Sequence, residues 1–231
     1  MAKIGYGYGS EWHLMRFMGR HRELLETIIR KAIDVAEGSF RWHDFMFSKK
    51  KTAPDIEVKG LSFLGKNRQV DGYIKGWSNT QSWDAVFELD NIIYLVEAKA
   101  HIEEMKDNEI DKHGGDSKED IKNFIYENLK QQNISIKKEK CLGPYYQLAN
   151  RLATAAFLKN KGFEARCLYI YFLNGYEKKN DNKSVASPEI YLDEIHNEIA
   201  DLGLNQDELK PLLYHVFIDA KTGDLINPKH Q

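Results

Sequence analysis

The stretch Ser82–Lys99 reads SWDAVFELDNIIYLVEAK and decides the fold. Apolar, β-branched and aromatic runs stand on either side of Asp90-Asn91, a dipeptide that tolerates the positive φ angles of a two-residue β-hairpin turn. The turn sets the register of the two strands, because every outward step from it adds one pair of opposing residues. Counting outward predicts that Asp84 lies opposite Glu97.

Three charged side chains share one face at the open end of this hairpin. Side chains alternate along a strand, so Lys99 points to the same side as Glu97 and Asp84. Two like charges opposite each other destabilise a sheet, and burial increases the cost. A divalent cation offsets this cost, because Mg²⁺ takes carboxylate and carbonyl oxygens and keeps waters that phosphate oxygens can replace. The pattern therefore predicts Asp84, Glu97 and the carbonyl of Ala98 as ligands of Mg²⁺ or Mn²⁺.

Lys99 adds the group that phosphodiester hydrolysis requires. A lysine beside a metal ion can orient or deprotonate the metal-bound water, whose pKa the ion already lowers. It can also stabilise negative charge in the transition state. The combination predicts a metal-dependent endonuclease-type hydrolase that cuts nucleic acid with an activated water.

The Glu97–Lys99 triplet has little weight alone, because it is one of nine acid-x-Lys triplets in the chain. The triplet Asp219–Lys221 also follows an apolar, β-rich run, so a hydrolase that uses Asp219 and Lys221 stays open. The residues that follow it favour a strand that runs into a hairpin turn. What distinguishes Glu97 is an acid-bearing partner strand one tight turn upstream.

Two further alternatives concern the hairpin acid. Asp71 is a rival if residues 67–74 form the first core strand, although Asp71-Gly72 could equally form a turn. The register favours Asp84, which is paired with Glu97. The charged residues could also form an ordinary salt-bridged cluster with no catalytic role.

Three segments resemble the PD-(D/E)XK nuclease superfamily, which has the restriction-endonuclease-like fold. They are WDAV at 83–86, LVEAKAH at 95–101 and YQLANRLA at 146–153. The resemblance covers roughly residues 10 to 173, and Ser82-Trp83 departs from it by replacing the proline common before the hairpin aspartate.

The resemblance implies a role for each matching residue. Asp84 and Glu97 would bind Mg²⁺, and Lys99 would assist the attacking water. Glu11, on the first helix, would join the metal site, although the helix dipole alone also favours a first-turn glutamate. Gln147 would support the lysine or contact the substrate, although it could simply belong to a polar helix face.

The expected fold is α/β, with a restriction-endonuclease-like core of a helix, a three-strand meander, a second helix and a fourth strand. The first helix is predicted from an N-cap at Ser10 to about Ala36, and the second begins at Pro144 and ends near Lys161. The fourth strand spans 165–173. A charged insertion is expected at 101–141, either as a helical flap over the site or as a surface excursion. A C-terminal extension at 174–231 carries helices near 189–202 and 206–212 and a strand at 213–218.

The amino-acid composition limits the kinds of protein to which this chain can belong. The chain of 231 residues, 42% of them hydrophobic, suits one large domain over residues 1–231. No segment has the apolar length of a signal peptide or a membrane span, which predicts a cytoplasmic protein without a membrane partner. Cys141 and Cys167 lack the spacing of a zinc site or a disulfide framework.

The expected partner is nucleic acid, with DNA favoured over RNA. A net charge of −2 says little here, because the local field at the phosphates decides binding. Basic clusters at 16–22, 49–51 and 137–140 are more typical of a solvated surface than of a phosphate track. Cleavage of both duplex strands would favour a homodimer. A non-catalytic nucleic-acid-binding or interaction module that retains the fold is the alternative function.

Overall fold

The computed structural model describes residues 9–43, 58–65, 70–74, 81–106, 118–175 and 187–227. The helices are α1 (Ser10–Arg20), α2 (Arg22–Ala32), α3 (Lys118–Gln131), α4 (Tyr146–Asn160), α5 (Pro188–Leu202) and α6 (Gln206–Leu209). The strands are β1 (Phe40–Trp42), β2 (Val58–Lys59), β3 (Ser82–Trp83), β4 (Ala85–Leu89), β5 (Ile92–Lys99), β6 (Ala165–Leu173), β7 (Leu213–Asp219) and β8 (Leu225–Ile226). The protein is therefore of the mixed α/β class. No helix in these ranges is long and apolar enough to cross a membrane.

The hairpin of β4 and β5 has the predicted register. Leu89 pairs with Ile92 at the turn, and Ala85 pairs with Val96 at the other end of the ladder. The turn residues Asp90 and Asn91 have φ angles of 49° and 68°, the left-handed conformation that a primed turn requires. The hairpin and its register are confirmed from Leu89–Ile92 to Ala85–Val96, but Asp84 lies in a bend outside the ladder and is not paired with Glu97 as predicted.

One mixed sheet of six strands has the order β1-β4-β5-β6-β7-β8. Strands β5, β6 and β7 run parallel, and the other neighbours are antiparallel. The strand that pairs with β4 on its outer side is β1, where Phe40 and Trp42 pack on Phe87. Residues 67–74 are the alternative first core strand, but Asp71-Gly72 forms a turn with Gly72 at φ 90°, and residues 67–69 lie outside the described ranges.

The first helix differs from its prediction. It breaks at His21, whose φ of −131° and ψ of 35° are not helical, so α1 and α2 are separate helices. Its N-cap is Gly9, and Ser10 is already the first helical residue. The second half ends before the predicted Ala36 because Asp34 adopts a φ of 54°.

The elements after residue 140 lie close to their predicted positions. Helix α4 begins at Tyr146 instead of Pro144, because the Tyr146 amide first closes a turn with the Gly143 carbonyl at 3.1 Å. Strand β6 matches its predicted range, and α5 and β7 match theirs to within one residue. The C-terminal segment therefore extends the central sheet with β7 and β8.

Helices cover both faces of the sheet. One face packs against α1 and α2, and this core takes Tyr94 and Val96 from β5. The other face packs against α3, α4 and α5, and takes Ile93 and Leu95. By strand alternation, Glu97 belongs to this second face, beneath α4.

Helix α3 is part of this second core. Ile121, Ile125 and Leu129 follow helical spacing and are fully buried against α4. The described helix of segment 101–141 is therefore a structural layer and not a flap over the hairpin.

Ile125→Ala should lower the free energy of unfolding by about 2–5 kcal/mol, the usual cost of deleting a buried Ile side chain. Ile125 is 0% exposed in the core between α3 and α4. Urea unfolding measures the change, and Glu127→Ala, an exposed position on the same helix, is the matched control. A loss below about 0.5 kcal/mol, typical of surface positions, would contradict the assignment of α3 to the core.

Candidate active site

Asp84 lies in the bend between β3 and β4, one residue before the hairpin ladder begins. Its neighbour Trp83 is 1% exposed, and the indole donates a hydrogen bond to the Gly60 carbonyl at 2.7 Å, which fixes the bend. Asp84 Oδ2 accepts a hydrogen bond from the Ala98 amide at 2.7 Å. This bond holds the carboxyl group against β5, beside Glu97.

Glu97 is held between two cations. Lys99 Nζ lies 2.9 Å from Oε1, and Arg151 Nε lies 2.9 Å from Oε2. Burial alone would raise the pKa of Glu97, but the charges and hydrogen bonds of Lys99 and Arg151 lower it below its usual value. The buried carboxylate is therefore ionised.

Lys99 connects the hairpin to α4. Its Nζ donates to Glu97 and also to Gln147 Oε1, at 2.5 Å. Burial alone would lower the pKa of Lys99, but Glu97 and Asp84 more than compensate and raise it. Lys99 is therefore a charged donor at neutral pH, and the structure brings Gln147 to it.

Arg151 also belongs to this site, although the sequence did not predict a role for it. Besides Glu97, it donates to the Ser82 carbonyl at 2.9 Å and to Asn150 Oδ1 at 3.3 Å. Its guanidinium lies over the Trp83 ring, 4.6 Å from the centroid. The one signal in the sequence was its spacing of one helical turn from Gln147 on a polar face of α4.

A buried polar network continues from Arg151 into the core. Asn150 accepts a hydrogen bond from Gln81 and donates to the Tyr146 hydroxyl at 3.1 Å. Gln81 also donates to Thr154 at 3.0 Å and accepts from the Tyr73 hydroxyl. Because buried polar side chains need partners, this network fixes the conformation of α4 beside the site.

The donor set fits a hard cation that keeps most of its waters. No group of three or more His, Cys, Asp or Glu side chains in the described ranges is arranged to hold a metal ion. Mg²⁺ needs only one or two carboxylates when waters and phosphate oxygens complete its shell. Burial and the charge of Glu97 raise the pKa of Asp84 to about 8, and the Ala98 amide, Lys99 and Arg151 offset this only in part, so a bound cation would favour the ionised form. Asp84 and Glu97 would hold the ion.

Glu11 and Ala98, the other two predicted ligands, are placed differently. Glu11 lies in the first turn of α1, which packs on the opposite face of the sheet from Glu97. Ala98 contributes its amide to Asp84. The roles of Glu11 and of the Ala98 carbonyl as ligands stay predictions.

The rival acid-x-Lys triplet at the end of β7 caps a turn. Asp219 Oδ1 accepts the amides of Lys221 and Thr222, at 2.8 and 2.9 Å, and Oδ2 accepts from Asn174 at 2.6 Å. These bonds lower the pKa of Asp219, whereas burial alone would raise it. The turn that the sequence favoured here is confirmed.

Two of the basic clusters have structural roles. Arg16 donates to the Ala220 carbonyl at 2.7 Å, and Arg22 lies over the Trp42 ring. Lys138 and Lys140 pair with Glu119 and Asp201. The cluster at 49–51 lies outside the described residues.

Glu198→Gln should flatten the pH dependence of stability between about pH 4.5 and 8. Glu198 on α5 is 3% exposed, and burial raises its pKa from 4.5 to about 8. Because the folded state holds this proton more tightly than the unfolded chain, the free energy of unfolding falls as pH rises through this window. In urea unfolding, the variant should match the wild type at pH 4 and exceed it at pH 8 by at most about 5 kcal/mol. A less stable variant at pH 8 would contradict this assignment.

Comparison with protein-family models, with curated proteins and with solved structures finds no match to this chain.

Proposed function

We propose that this protein is an Mg²⁺- or Mn²⁺-dependent nuclease that hydrolyses phosphodiester bonds, in DNA rather than RNA, by means of an activated water. The supporting observation is the convergence of Asp84, Glu97, Lys99 and Gln147 at one end of the hairpin. Two neighbouring carboxylates with a charged lysine match the needs of metal-assisted phosphoryl chemistry.

Each side chain has a distinct task in this proposal. Asp84 and Glu97 would hold the cation, which would lower the pKa of a bound water and place positive charge beside the phosphate. Lys99 orients that water and stabilises charge on the phosphate oxygens as a donor, because its raised pKa keeps it protonated. Gln147 holds the Lys99 ammonium group in place.

The order of elements supports a restriction-endonuclease-like core. Helix α1 is followed by the antiparallel strands β1, β4 and β5, then by α4 and the parallel strand β6. Helix α2, strands β2 and β3 and helix α3 stand between these elements, so the expected helix, meander, helix and strand order is kept only when they are treated as additions to the core. The protein would act on nucleic acid in the cytoplasm, and a homodimer is expected only if it cuts both strands of a duplex.

A cleavage assay tests the function. The full chain should cut at least one of plasmid, linear duplex, single-stranded or branched DNA with Mg²⁺ or Mn²⁺, and EDTA should stop it. Asp84→Asn keeps the size of the side chain but removes the carboxyl group that would ionise to bind the cation, so cleavage should fall to background. Intact substrates under all these conditions, or full activity of Asp84→Asn, would refute the proposal.

A non-catalytic nucleic-acid-binding module is the second candidate. The observation that favours it is the occupation of both Glu97 oxygens by internal cations, with Glu97 and Lys99 only 5% and 4% exposed. Such a protein would bind the same nucleic acids without cutting them, and Asp84→Asn would leave its affinity unchanged.

A further inference from the structure

We propose that Arg151 sets the affinity of this site for divalent cations by competing with them for the carboxylate of Glu97. The inference rests on the proposed metal site, and it adds a regulating residue that the nuclease function does not require. In the free protein Arg151 neutralises Glu97, so a cation binds to this carboxylate less tightly than it would bind to an unpaired one.

Lys99 and Arg151 differ in how readily each can release its contact with the Glu97 carboxylate. Lys99 has a second acceptor, Gln147 Oε1, so it can give up Oε1 of Glu97 and remain hydrogen-bonded. Arg151 is 8% exposed and is held by the Ser82 carbonyl and the Trp83 ring as well as by Glu97. Arg151 therefore stays beside Glu97 when a cation arrives.

Its positive charge then opposes the cation. For a divalent ion about 6 Å from a guanidinium, Coulomb's law gives a repulsion that lowers affinity about 10-fold even at the dielectric constant of water, and by more in a buried site. Once a cation has displaced the proton of Asp84, the formal charges of Asp84, Glu97, Lys99 and Arg151 sum to zero. Removing Arg151's charge leaves a net negative site, which attracts the cation more strongly.

A matched pair of variants separates charge from hydrogen bonding. Arg151→Gln removes the charge and keeps amide donors, whereas Arg151→Lys keeps the charge and loses the planar fork. Mn²⁺ affinity is measured by titration calorimetry and by the EPR signal of free Mn²⁺. Arg151→Gln should bind Mn²⁺ at least about 10-fold more tightly than the wild type, and Arg151→Lys should stay within about 3-fold of it. Arg41→Gln, on β1, removes an equal charge outside the site and should change nothing.

An NMR measurement on the wild type keeps the inference testable if Arg151→Gln does not fold. The Nε–H resonance of Arg151, assigned by its loss in Arg151→Lys, should shift when Mg²⁺ is added, because its bond to Glu97 weakens. An unchanged resonance at saturating Mg²⁺ would overturn the inference.

The remaining outcomes separate this inference from the nuclease function. Equal or weaker Mn²⁺ binding by Arg151→Gln, or no Mn²⁺ binding by any variant, overturns the role of Arg151. Tighter binding by Arg151→Gln supports that role even if no nucleic acid is cut, in which case only the nuclease function fails. If the wild type cuts nucleic acid with a metal ion but Arg151→Gln binds Mn²⁺ no more tightly than the wild type, the nuclease function stands and the regulating role of Arg151 fails.

Discussion

Replacing Lys99 by methionine is expected to reduce the rate of nucleic-acid cleavage by about 10²–10³-fold, the usual cost of removing one donor that stabilises transition-state charge. Methionine keeps most of the apolar stem of lysine, and Arg151 still neutralises Glu97 in the variant, so the fold and Mn²⁺ binding should persist. Single-turnover cleavage at saturating Mn²⁺ measures the effect on the chemical step.

Lys221→Met is the matched control for this experiment, because Lys221 belongs to the rival acid-x-Lys triplet on the turn after β7. It should leave cleavage unchanged. Wild-type nicking by Lys99→Met would remove Lys99 from the mechanism, and a loss confined to Lys221→Met would transfer the site to Asp219 and Lys221.

Replacing Glu97 by alanine is expected to cost about 3–5 kcal/mol of stability, the range found when one partner of a buried ion pair is removed. Lys99 and Arg151, at 4% and 8% exposure, would both remain buried without their shared carboxylate. Cleavage should also be lost, because a cation ligand is gone. Urea unfolding gives the stability, and a cleavage assay at a temperature where the variant is folded gives the activity.

Glu88→Ala is the control for Glu97→Ala. Glu88 lies on β4, is 5% exposed and pairs with Arg41 and His43. Arg41 has a side-chain exposure of 60%, so water can replace its partner, and the variant should lose less stability than Glu97→Ala. An equal or larger loss for Glu88→Ala would contradict the claim that Glu97 is the charge centre of a buried cluster.

The hairpin and the charged side chains on its face could be predicted because both follow from local rules. The positive φ angles of Asp90 and Asn91 fix the register, and strand alternation then assigns Glu97 and Lys99 to one face. The buried strand β6 was predictable from its continuous apolar sequence. These features need no knowledge of distant contacts.

The parts that sequence could not supply depend on tertiary contacts. Strand β1 is short, and its place in the sheet comes from Phe40 and Trp42 packing on Phe87. Asp84 leaves the ladder because the Trp83 indole bonds to Gly60 and its own carboxyl group bonds to the Ala98 amide.

Arg151 shows the same dependence within the site. Its spacing from Gln147 indicated a polar helix face, but its partner Glu97 is 54 residues away in the chain. Only the packing of α4 on β5 reveals that the carboxylate expected to face a metal ion already has two internal cations.

The most direct test of the central claim is a crystal structure of the protein with Mn²⁺, with the ion located by its anomalous scattering. If Asp84 and Glu97 form the metal site, one ion should lie within about 2.0–2.6 Å of an oxygen from each carboxylate. An ion bound elsewhere, with Glu97 still paired to both Lys99 and Arg151 and no density beside Asp84, would contradict the account.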